Sequence, residues 1–424
     1  MKSINSRRAF RFFGNVVFIT LITLVLLEII TRLLWSGKTT INLLGRSISL
    51  LPVPLVTEEQ KSILEGWCKD NSSYIRYDSV LGWSIRSNVI GEFDGITYTS
   101  NSIGVRSLRE YDIRKPNNIV RIAAFGPSLT LGWGIEDSGA WPTLLEQSRS
   151  DLEVMNWGVC AYGTDQSFLR YKTEGVLYQP DIVLIGYEED SVWRNANRYR
   201  PYYFQETGIP LTKPIYIVEQ DELILLKNPF DSFEGLYQAL TSPSEFVDAT
   251  CPRDYFCDEA IYRHYFLDVF MSFRVLRTLI FEIESNRPLE TESPVDPQET
   301  SIRIIELFVR EAINHHSTPI VILFPHSPKT LSNYEDGILP HYHKVIPVIQ
   351  DMMGIKVIDL TSVFVQIKQE QHLEYQDFFE GHYNKLGNQI VAQAVLQRLC
   401  DLGLIDCRTS ELFVEARLWR EIIN

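Results

Sequence analysis

The chain contains the stretch IVRIAAFGPSLTLGWG, from Ile119 to Gly134. Its first part is apolar except for Arg121, which is typical of a strand that is covered on both faces of a sheet. A glycine-bounded turn carrying Ser128 follows, and after it a helix is expected. This strand-turn-helix order exposes the serine hydroxyl at the edge of a sheet and presents its backbone N–H to an oxyanion. A serine that only caps a helix would have a similar local sequence.

Apolar strands and helices alternate on the C-terminal side of this stretch. Beside the strand at 119–125, buried strands are predicted at 154–157, 181–185, 319–324 and 356–360. Five such strands favour an α/β fold of three layers, α/β/α, with a doubly wound, flavodoxin-like parallel sheet. In such sheets the site lies beyond the carboxyl ends of the strands, and Ser128 directly follows one of these ends.

An apolar run from Phe12 to Trp35 follows a short basic segment. At about 1.5 Å per residue the run is long enough to cross a hydrocarbon core of roughly 30 Å. No small-residue cleavage site follows it, so a retained transmembrane helix at 12–35 is expected rather than a signal peptide. The basic residues predict a cytoplasmic N-terminus in a single-pass inner-membrane protein, with the rest of the chain periplasmic or extracellular.

The chain is therefore divided into four predicted regions. They are a basic tail with the membrane anchor at 1–36, a juxtamembrane and N-terminal strand region at 37–115, the α/β domain at 116–405 with an insertion at 196–300, and a C-terminal tail at 406–424.

The six cysteines are interpreted in an extracytoplasmic setting, where disulfides persist. Cys251 and Cys257 are close in sequence, as are Cys400 and Cys407, so two short-loop disulfides are plausible. Six cysteines allow fifteen full pairings, and the sequence leaves the pairing open. Cys68 and Cys160 would then remain as small buried apolar residues.

Charge and motif content exclude several other kinds of site. The chain has 40 basic and 54 acidic residues, a formal charge of −14, with no basic cluster outside the N-terminus, so no nucleic-acid partner is expected. The histidine pairs at 315–316 and 341–343 lack a convincing set of partner ligands, so no metal is expected. The glycines at 126, 132 and 134 lack the spacing of a nucleotide-binding motif, so no cofactor is expected.

A second candidate for chemistry lies just before the last predicted helix, in the segment Glu380-Gly-His382-Tyr-Asn384. A histidine there can act as a general base, and a carboxylate two residues earlier can fix its tautomer. A lone histidine is more often structural. A serine after the first strand combined with an acid-x-His before the last helix is a much rarer coincidence.

With these motifs the sequence resembles the SGNH (GDSL-type) hydrolases, and in particular their membrane-anchored bacterial members. The likeness covers most of the chain outside 196–300, and its blocks lie at 81–83, 101–106, 121–137, 156–166, 186–190 and 381–387. The resemblance implies that Ser128 is the nucleophile and His382 the base. It also implies that the N–H groups of Ser128 and Gly158 are oxyanion donors.

Two departures from the family pattern are mild. Pro127 stands where the family has an aspartate, which removes one N–H but leaves that of Ser128 intact. Glu380 stands where an aspartate is usual, and Ser-His-Glu triads exist. Asp377, on the same loop, is an alternative orienting residue.

A third departure is serious, because Glu189 stands where the family has the asparagine that donates to the oxyanion. Losing one donor costs roughly 10²–10³ in rate, and an ionised carboxylate adds repulsion. Activity would survive if burial kept Glu189 protonated. It would also survive if Glu189 turned away while Asn156 or Asn195 replaced it.

The sequence thus predicts a membrane-anchored, extracytoplasmic serine esterase or O-acyltransferase. Its expected substrates are acylated glycans or envelope polymers, and its expected catalytic residues are Ser128, His382 and Glu380. The oxyanion site would comprise Ser128, Gly158 and Glu189. The alternative is a catalytically impaired pseudoenzyme of the same fold that binds a glycan or an envelope partner.

Overall fold

The computed structural model describes residues 2–43, 45–69, 73–285 and 296–406. The helices, in chain order, are α1 (Lys2–Trp35), α2 (Glu58–Lys69), α3 (Ser128–Leu131), α4 (Trp141–Gln147), α5 (Thr164–Thr173), α6 (Ser191–Asn195), α7 (Arg200–Tyr203), α8 (Phe233–Ala239), α9 (Pro243–Thr250), α10 (Glu259–Tyr262), α11 (Met271–Ser285), α12 (Pro297–Asn314), α13 (Pro328–Glu335), α14 (Tyr342–Met353), α15 (Leu360–Gln371) and α16 (Lys385–Asp401).

The strands are β1 (Thr40–Leu43), β2 (Arg46–Ser49), β3 (Ile75–Asp78), β4 (Gly82–Ile85), β5 (Ile90–Phe93), β6 (Ile96–Thr99), β7 (Val120–Phe125), β8 (Leu152–Asn156), β9 (Ile182–Glu188), β10 (Ile215–Glu219), β11 (Glu222–Leu226), β12 (Thr318–Phe324), β13 (Lys356–Asp359), β14 (Phe379–Glu380) and β15 (His382–Tyr383).

Five of these strands form one sheet in the order β13-β12-β9-β7-β8. Every pairing in it is parallel, so the predicted doubly wound sheet is confirmed. Counted along the chain, the strand order is 2-1-3-4-5, which is the flavodoxin-like arrangement. Its direction reverses between β7 and β9, so the carboxyl ends of these two strands border the crevice where such folds hold their sites.

The sheet is covered on both faces because successive side chains of a strand point to opposite sides. In β7, Ala123 and Phe125 pack into one core cluster together with residues of α5, α12 and α14. Ile122 and Ala124 of the same strand pack into another cluster, together with residues of α4, α15 and α16. The three-layer α/β/α fold is therefore confirmed.

The described residues separate into two compact units. The described parts of 1–57, 238–252 and 257–293 form one unit, and the described parts of 58–237, 253–256 and 294–424 form the other. The second unit contains the five-stranded sheet. The segment 196–300, predicted to be an irregular insertion with some helix, is divided between the two units and includes the hairpin β10–β11 and the helix α11. The predicted boundaries at 36, 115 and 405 stay predictions.

In the first unit the long helix α1 is fastened to α11 by Glu28. Its carboxylate accepts hydrogen bonds from the backbone N–H of Met271 (3.0 Å), and from the N–H (2.9 Å) and hydroxyl (2.7 Å) of Ser272. These are the first N–H groups of α11, which have no partner inside the helix and favour a negative charge. Arg32, one turn further along α1, pairs with Glu28 at 2.5 Å.

The cysteine predictions have mixed outcomes. Cys251 and Cys257 form the expected disulfide, with their Cα atoms 5.2 Å apart. Cys407, the expected partner of Cys400, lies outside the described residues. Cys68 and Cys160 are free thiols. The prediction that both are buried is wrong for Cys68, which lies on α2 and is exposed, while Cys160 is half-buried.

Candidate active site

Ser128 lies in the turn that joins the end of β7 to α3, and 7 % of its surface is exposed. Gly126 makes this turn possible, because a Cβ there would lie 2.2 Å from the hydroxyl oxygen of Thr130 and 3.1 Å from Cα of Gly186. As the first residue of a helix, Ser128 has an N–H with no intrahelical partner. Among the described residues no acceptor is hydrogen-bonded to it.

His382 is presented by the small hairpin β14–β15, which turns at Gly381 with a φ of +74°. Tyr383 fixes the hairpin to the end of β12, since its hydroxyl donates to the carbonyl of Pro325 (2.6 Å). Asn384 fixes it to the last helix, since its side chain caps α16 by accepting from the N–H of Gly387 (3.0 Å). The imidazole Nε2 of His382 lies 2.9 Å from Oγ of Ser128, so the two predicted residues are in hydrogen-bond contact.

The His382 imidazole is held in its neutral form. Burial, together with the positive charges of Arg194 and His326, lowers its pKa from 6.5 to about 4. A neutral imidazole whose Nε2 contacts a serine hydroxyl can accept the hydroxyl proton at neutral pH.

Glu380 lies opposite His382 in the hairpin register, but its side chain is exposed. Within the described part of the chain no hydrogen bond joins Glu380 to His382. Asp377, the alternative, uses its carboxylate to accept from the backbone N–H of Glu374 (2.8 Å). The structure therefore does not place either predicted orienting carboxylate on the imidazole, because both side chains point into solvent or into their own turn.

Gly158 lies against α3, where a Cβ would come within 2.4 Å of the backbone nitrogen of Leu131. Its N–H, the second predicted oxyanion donor, donates to the side-chain oxygen of Asn156 (3.1 Å). The amide nitrogen of Asn156 in turn donates to the carbonyl of Leu131 (3.0 Å). Gly158 is thus beside the serine, but its donor is engaged by Asn156.

Glu189 is directed away from the cavity that Ser128 borders. Its carboxylate accepts from the hydroxyl of Thr330 (3.2 Å) and lies 3.3 Å from Nδ1 of His326. The hydrogen bond with His326 lowers the pKa of the Glu189 carboxyl below its ordinary value. A lowered pKa does not favour the alternative in which burial keeps Glu189 protonated. Glu189 is also not among the residues that line the cavity, so the structure does not bring it to the predicted oxyanion site. Asn195 does not replace it, because its amide binds Asp165 and Ser301.

The sequence reasoning missed Glu188 and Arg194. β9 extends to Glu188, three residues beyond the predicted end at Ile185, and all of its residues are buried, so Glu188 is the last buried residue and Glu189 lies beyond the strand. Glu188 is 3 % exposed and forms an ion pair with the guanidinium of Arg194, which also lies 3.6 Å from Asp190. The available signal was the run of three acidic residues, Glu188-Glu189-Asp190, after an apolar strand, and the position of the strand end decides which of them is buried.

Ser128, His382 and Arg194 line one cavity of about 720 Å³. Aromatic rings make up much of its remaining wall, namely Trp67, Phe93, Trp133 and Phe204. A concave, largely apolar site with a few polar groups is typical of a small-molecule or glycan pocket.

The structure gives little support for a reactive thiol or a bound metal ion at this cavity. Cys160 also lines it, but burial raises the pKa of the thiol to about 12, so the reactive thiolate is scarce at neutral pH. In the residues described here, no group of three or more His, Cys, Asp or Glu side chains is placed to hold a metal ion.

No protein-family model and no curated protein matches this sequence. Solved structures do. A lipolytic protein of the G-D-S-L family from Desulfitobacterium hafniense is 13 % identical, with a TM-score of 0.33 over 66 % of this chain and 99 % of that one. A catalytic mutant of an acetylxylan esterase from Geobacillus stearothermophilus is 11 % identical, with a TM-score of 0.37 over 68 % and 96 %. A lipase/acylhydrolase from Enterococcus faecalis is 12 % identical, with a TM-score of 0.34 over 66 % and 95 %.

The first of these proteins is named as a member of the G-D-S-L family, the family that the motifs resemble. Because the identities are low and the TM-scores lie below 0.5, nothing about activity follows from them. The fold itself is established by the strand order of the sheet.

Proposed function

We propose that this chain is a membrane-anchored, extracytoplasmic serine esterase or O-acyltransferase of the SGNH type, acting on acylated glycans. The observation that carries the proposal is the 2.9 Å contact between Nε2 of His382 and Oγ of Ser128, inside a cavity at the carboxyl edge of the sheet. The two residues come from opposite ends of the α/β unit. A partly buried serine-histidine contact at this point of the fold is the arrangement that nucleophilic acyl transfer requires.

In the proposed reaction Oγ of Ser128 attacks the acyl carbonyl of an ester while Nε2 of His382 takes the hydroxyl proton. The unpartnered N–H of Ser128 donates to the oxyanion. Collapse of the tetrahedral intermediate breaks the ester C–O bond, and His382 returns the proton to the departing sugar hydroxyl. The acyl-enzyme is then cleaved by water, or passes its acyl group to another hydroxyl, with His382 again as the base.

Glu380 is left out of this mechanism because its side chain is exposed and does not contact the imidazole. The N–H of Gly158 becomes a second oxyanion donor only if the Asn156 side chain releases it. This engaged donor is the observation that favours the second candidate function, a pseudoenzyme that binds an acylated glycan without cleaving it.

The membrane anchoring is supported by helix α1. Its segment Phe10–Trp35, 26 residues with an 18-residue window of mean hydropathy 2.4, is long and apolar enough to cross a membrane, and no residue of that window is buried. On α11, which Glu28 fastens to α1, an apolar face is exposed at the i, i+4, i+7 positions Leu276 (55 %), Ile280 (46 %) and Ile283 (64 %). An exposed apolar face on a helix that is hydrogen-bonded to a membrane helix fits the headgroup region of a bilayer.

The test is hydrolysis of 4-nitrophenyl acetate by the full-length protein in detergent micelles, because truncation before residue 37 would remove the partner of α11. We expect Ser128→Ala to lower kcat by at least about 10³, as loss of a catalytic serine does. Cys160→Ala, which changes a second nucleophilic residue of the same cavity, should retain activity. Equal background rates in the wild type and Ser128→Ala would favour the pseudoenzyme.

A further inference from the structure

The cavity that holds Ser128 and His382 also contains a buried cation that the proposed reaction does not use. Arg200, the first residue of α7, lines this cavity with only 8 % of its surface exposed. Its guanidinium carbon lies 5.1 Å from the ring centre of Tyr203 and 5.8 Å from that of Phe204. Burial and the neighbouring charge of Arg194 lower its pKa to about 10, so Arg200 remains charged at neutral pH.

Arg200 has no anionic partner among the described residues. Its Nε and Nη1 atoms are buried without a hydrogen-bond partner, and no carboxylate lies within ion-pair distance of it in that part of the chain. The carboxylates that attract it, Glu188 and Asp190, both pair with Arg194.

Two other deeply buried arginines of this unit each form an ion pair with a carboxylate. Arg106 pairs with Asp137 at 2.8 Å, and Arg121 pairs with Glu153 at 2.7 Å. Burying an ion without a partner is costly, so a buried charge is ordinarily matched by an opposite one. At Arg200 the described residues supply no such match, and the side chain borders the cavity while its Nε and Nη1 atoms are themselves buried.

The aromatic rings in the rest of the cavity wall indicate that the ligand also contains a sugar ring. Trp133 presents an indole ring that is stacked on Tyr98 at 4.7 Å, and Trp67, Phe93 and Phe204 add further rings. Flat aromatic faces of this kind suit the apolar face of a sugar ring. A neutral sugar would occupy them and leave Arg200 uncompensated.

We propose that Arg200 binds an anionic group on the sugar that carries the ester, and that this group is a carboxylate, so that the ligand is an acylated uronic acid. A guanidinium can bind a carboxylate through two parallel N–H···O bonds. Arg194 lines the same cavity but pairs with Glu188 and Asp190, which leaves Arg200 as the cavity-lining arginine without an ion pair among the described residues. This inference rests on the proposed function for the position of the ester.

The experiment measures binding rather than turnover, so that its outcome does not depend on catalysis. Full-length Ser128→Ala protein in micelles is titrated calorimetrically with acetylated methyl glucuronoside and with acetylated methyl glucoside of the same acetylation pattern. We expect the glucuronoside to bind at least tenfold more tightly. Adding Arg200→Met should remove that preference, while Arg200→Lys should retain part of it.

Arg198→Met is the matched control, because Arg198 is two residues away and its Nη2 donates to the carbonyl of Lys227, at 2.9 Å, outside the cavity lining. It should leave the preference unchanged. An acetylated glucose 6-sulfate distinguishes the anions, and tighter binding of the sulfate than of the carboxylate would overturn the uronic acid. Removing an uncompensated buried charge should not lower the melting temperature, so Arg200→Met is expected to fold.

Equal affinity for the charged and the neutral sugar, or a preference that survives Arg200→Met, would overturn the inference. That result is distinct from failure of the proposed function, which would appear as 4-nitrophenyl acetate turnover that is the same with and without Ser128. Tight glucuronoside binding without any turnover would support the anion site and would leave a binding protein instead of an enzyme.

Discussion

At the scale of single residues, the pair Ser128 and His382 defines the site, and its electrostatic surroundings set its pH dependence. His382 is a base only when neutral, and its pKa is lowered to about 4. Ester hydrolysis should therefore stay level on the acid side of neutrality and fall only as the pH drops through about 4.

The measurement is kcat/KM for 4-nitrophenyl acetate against pH, in the free enzyme. His326→Gln removes one of the positive charges that depress the pKa of His382, so it should move the acid limb to higher pH. An acid limb near the ordinary histidine value of about 6.5 in the wild type would contradict the burial argument.

Two carboxylates that the sequence analysis assigned to the catalytic site should contribute little to kcat/KM. Glu380 is exposed, and Glu189 binds Thr330 and His326 outside the cavity. We expect Glu380→Gln and Glu189→Gln each to change kcat/KM by less than about tenfold, whereas loss of a true orienting carboxylate costs roughly 10⁴. A large loss in Glu380→Gln would show that its side chain turns onto His382 when substrate binds.

At the scale of elements, the end of β9 organises the polar side of the cavity. Glu188 and Arg194 form an ion pair whose side chains are 4 % and 9 % exposed. Removing one partner of a buried pair leaves the other charge uncompensated, at a cost of roughly 3–5 kcal/mol.

Glu188→Gln should therefore lower the free energy of unfolding by about that amount, seen as a lower urea midpoint in tryptophan fluorescence. Glu189→Gln is the matched control, since its pair with His326 is about one-third exposed and should contribute about 1 kcal/mol or less. Equal midpoints for the two variants would mean that the Glu188–Arg194 pair does not stabilise the fold.

At the scale of the whole molecule, the predicted topology can be tested on cysteines that the structure distinguishes. Cys68 is a free, exposed thiol on α2, while Cys160 is half-buried with a pKa raised to about 12. If α1 spans the membrane with its N-terminus in the cytoplasm, Cys68 lies outside and should react with a membrane-impermeant maleimide added to spheroplasts.

Cys68→Ser should abolish that labelling, because Cys160 is a poor nucleophile. The protein should also remain in the membrane fraction after alkaline carbonate extraction. Labelling that appears only after the cells are lysed would place the α/β unit in the cytoplasm and reverse the proposed topology.

Local sequence determined much of this protein. The apolar runs and their spacing predicted all five strands of the sheet, because burial of a strand depends mainly on its own side chains. The strand-end rule predicted that Ser128 lies at the carboxyl edge of the sheet. That His382 acts together with it was implied by the resemblance to the SGNH hydrolases. The apolar length of α1 predicted a helix long enough to span a membrane.

Tertiary structure alone decided which polar groups border the cavity. β9 continues three residues past its predicted end at Ile185. Because of this extension, the buried carboxylate at the end of the strand is that of Glu188 and not that of Glu189. Asn156 engages the N–H of Gly158, and Arg200 is buried without a carboxylate among the described residues, neither of which local sequence shows. The physical reason is that the direction and partner of a polar side chain depend on where strands end and on residues far away in the chain, whereas hydrophobic periodicity is local.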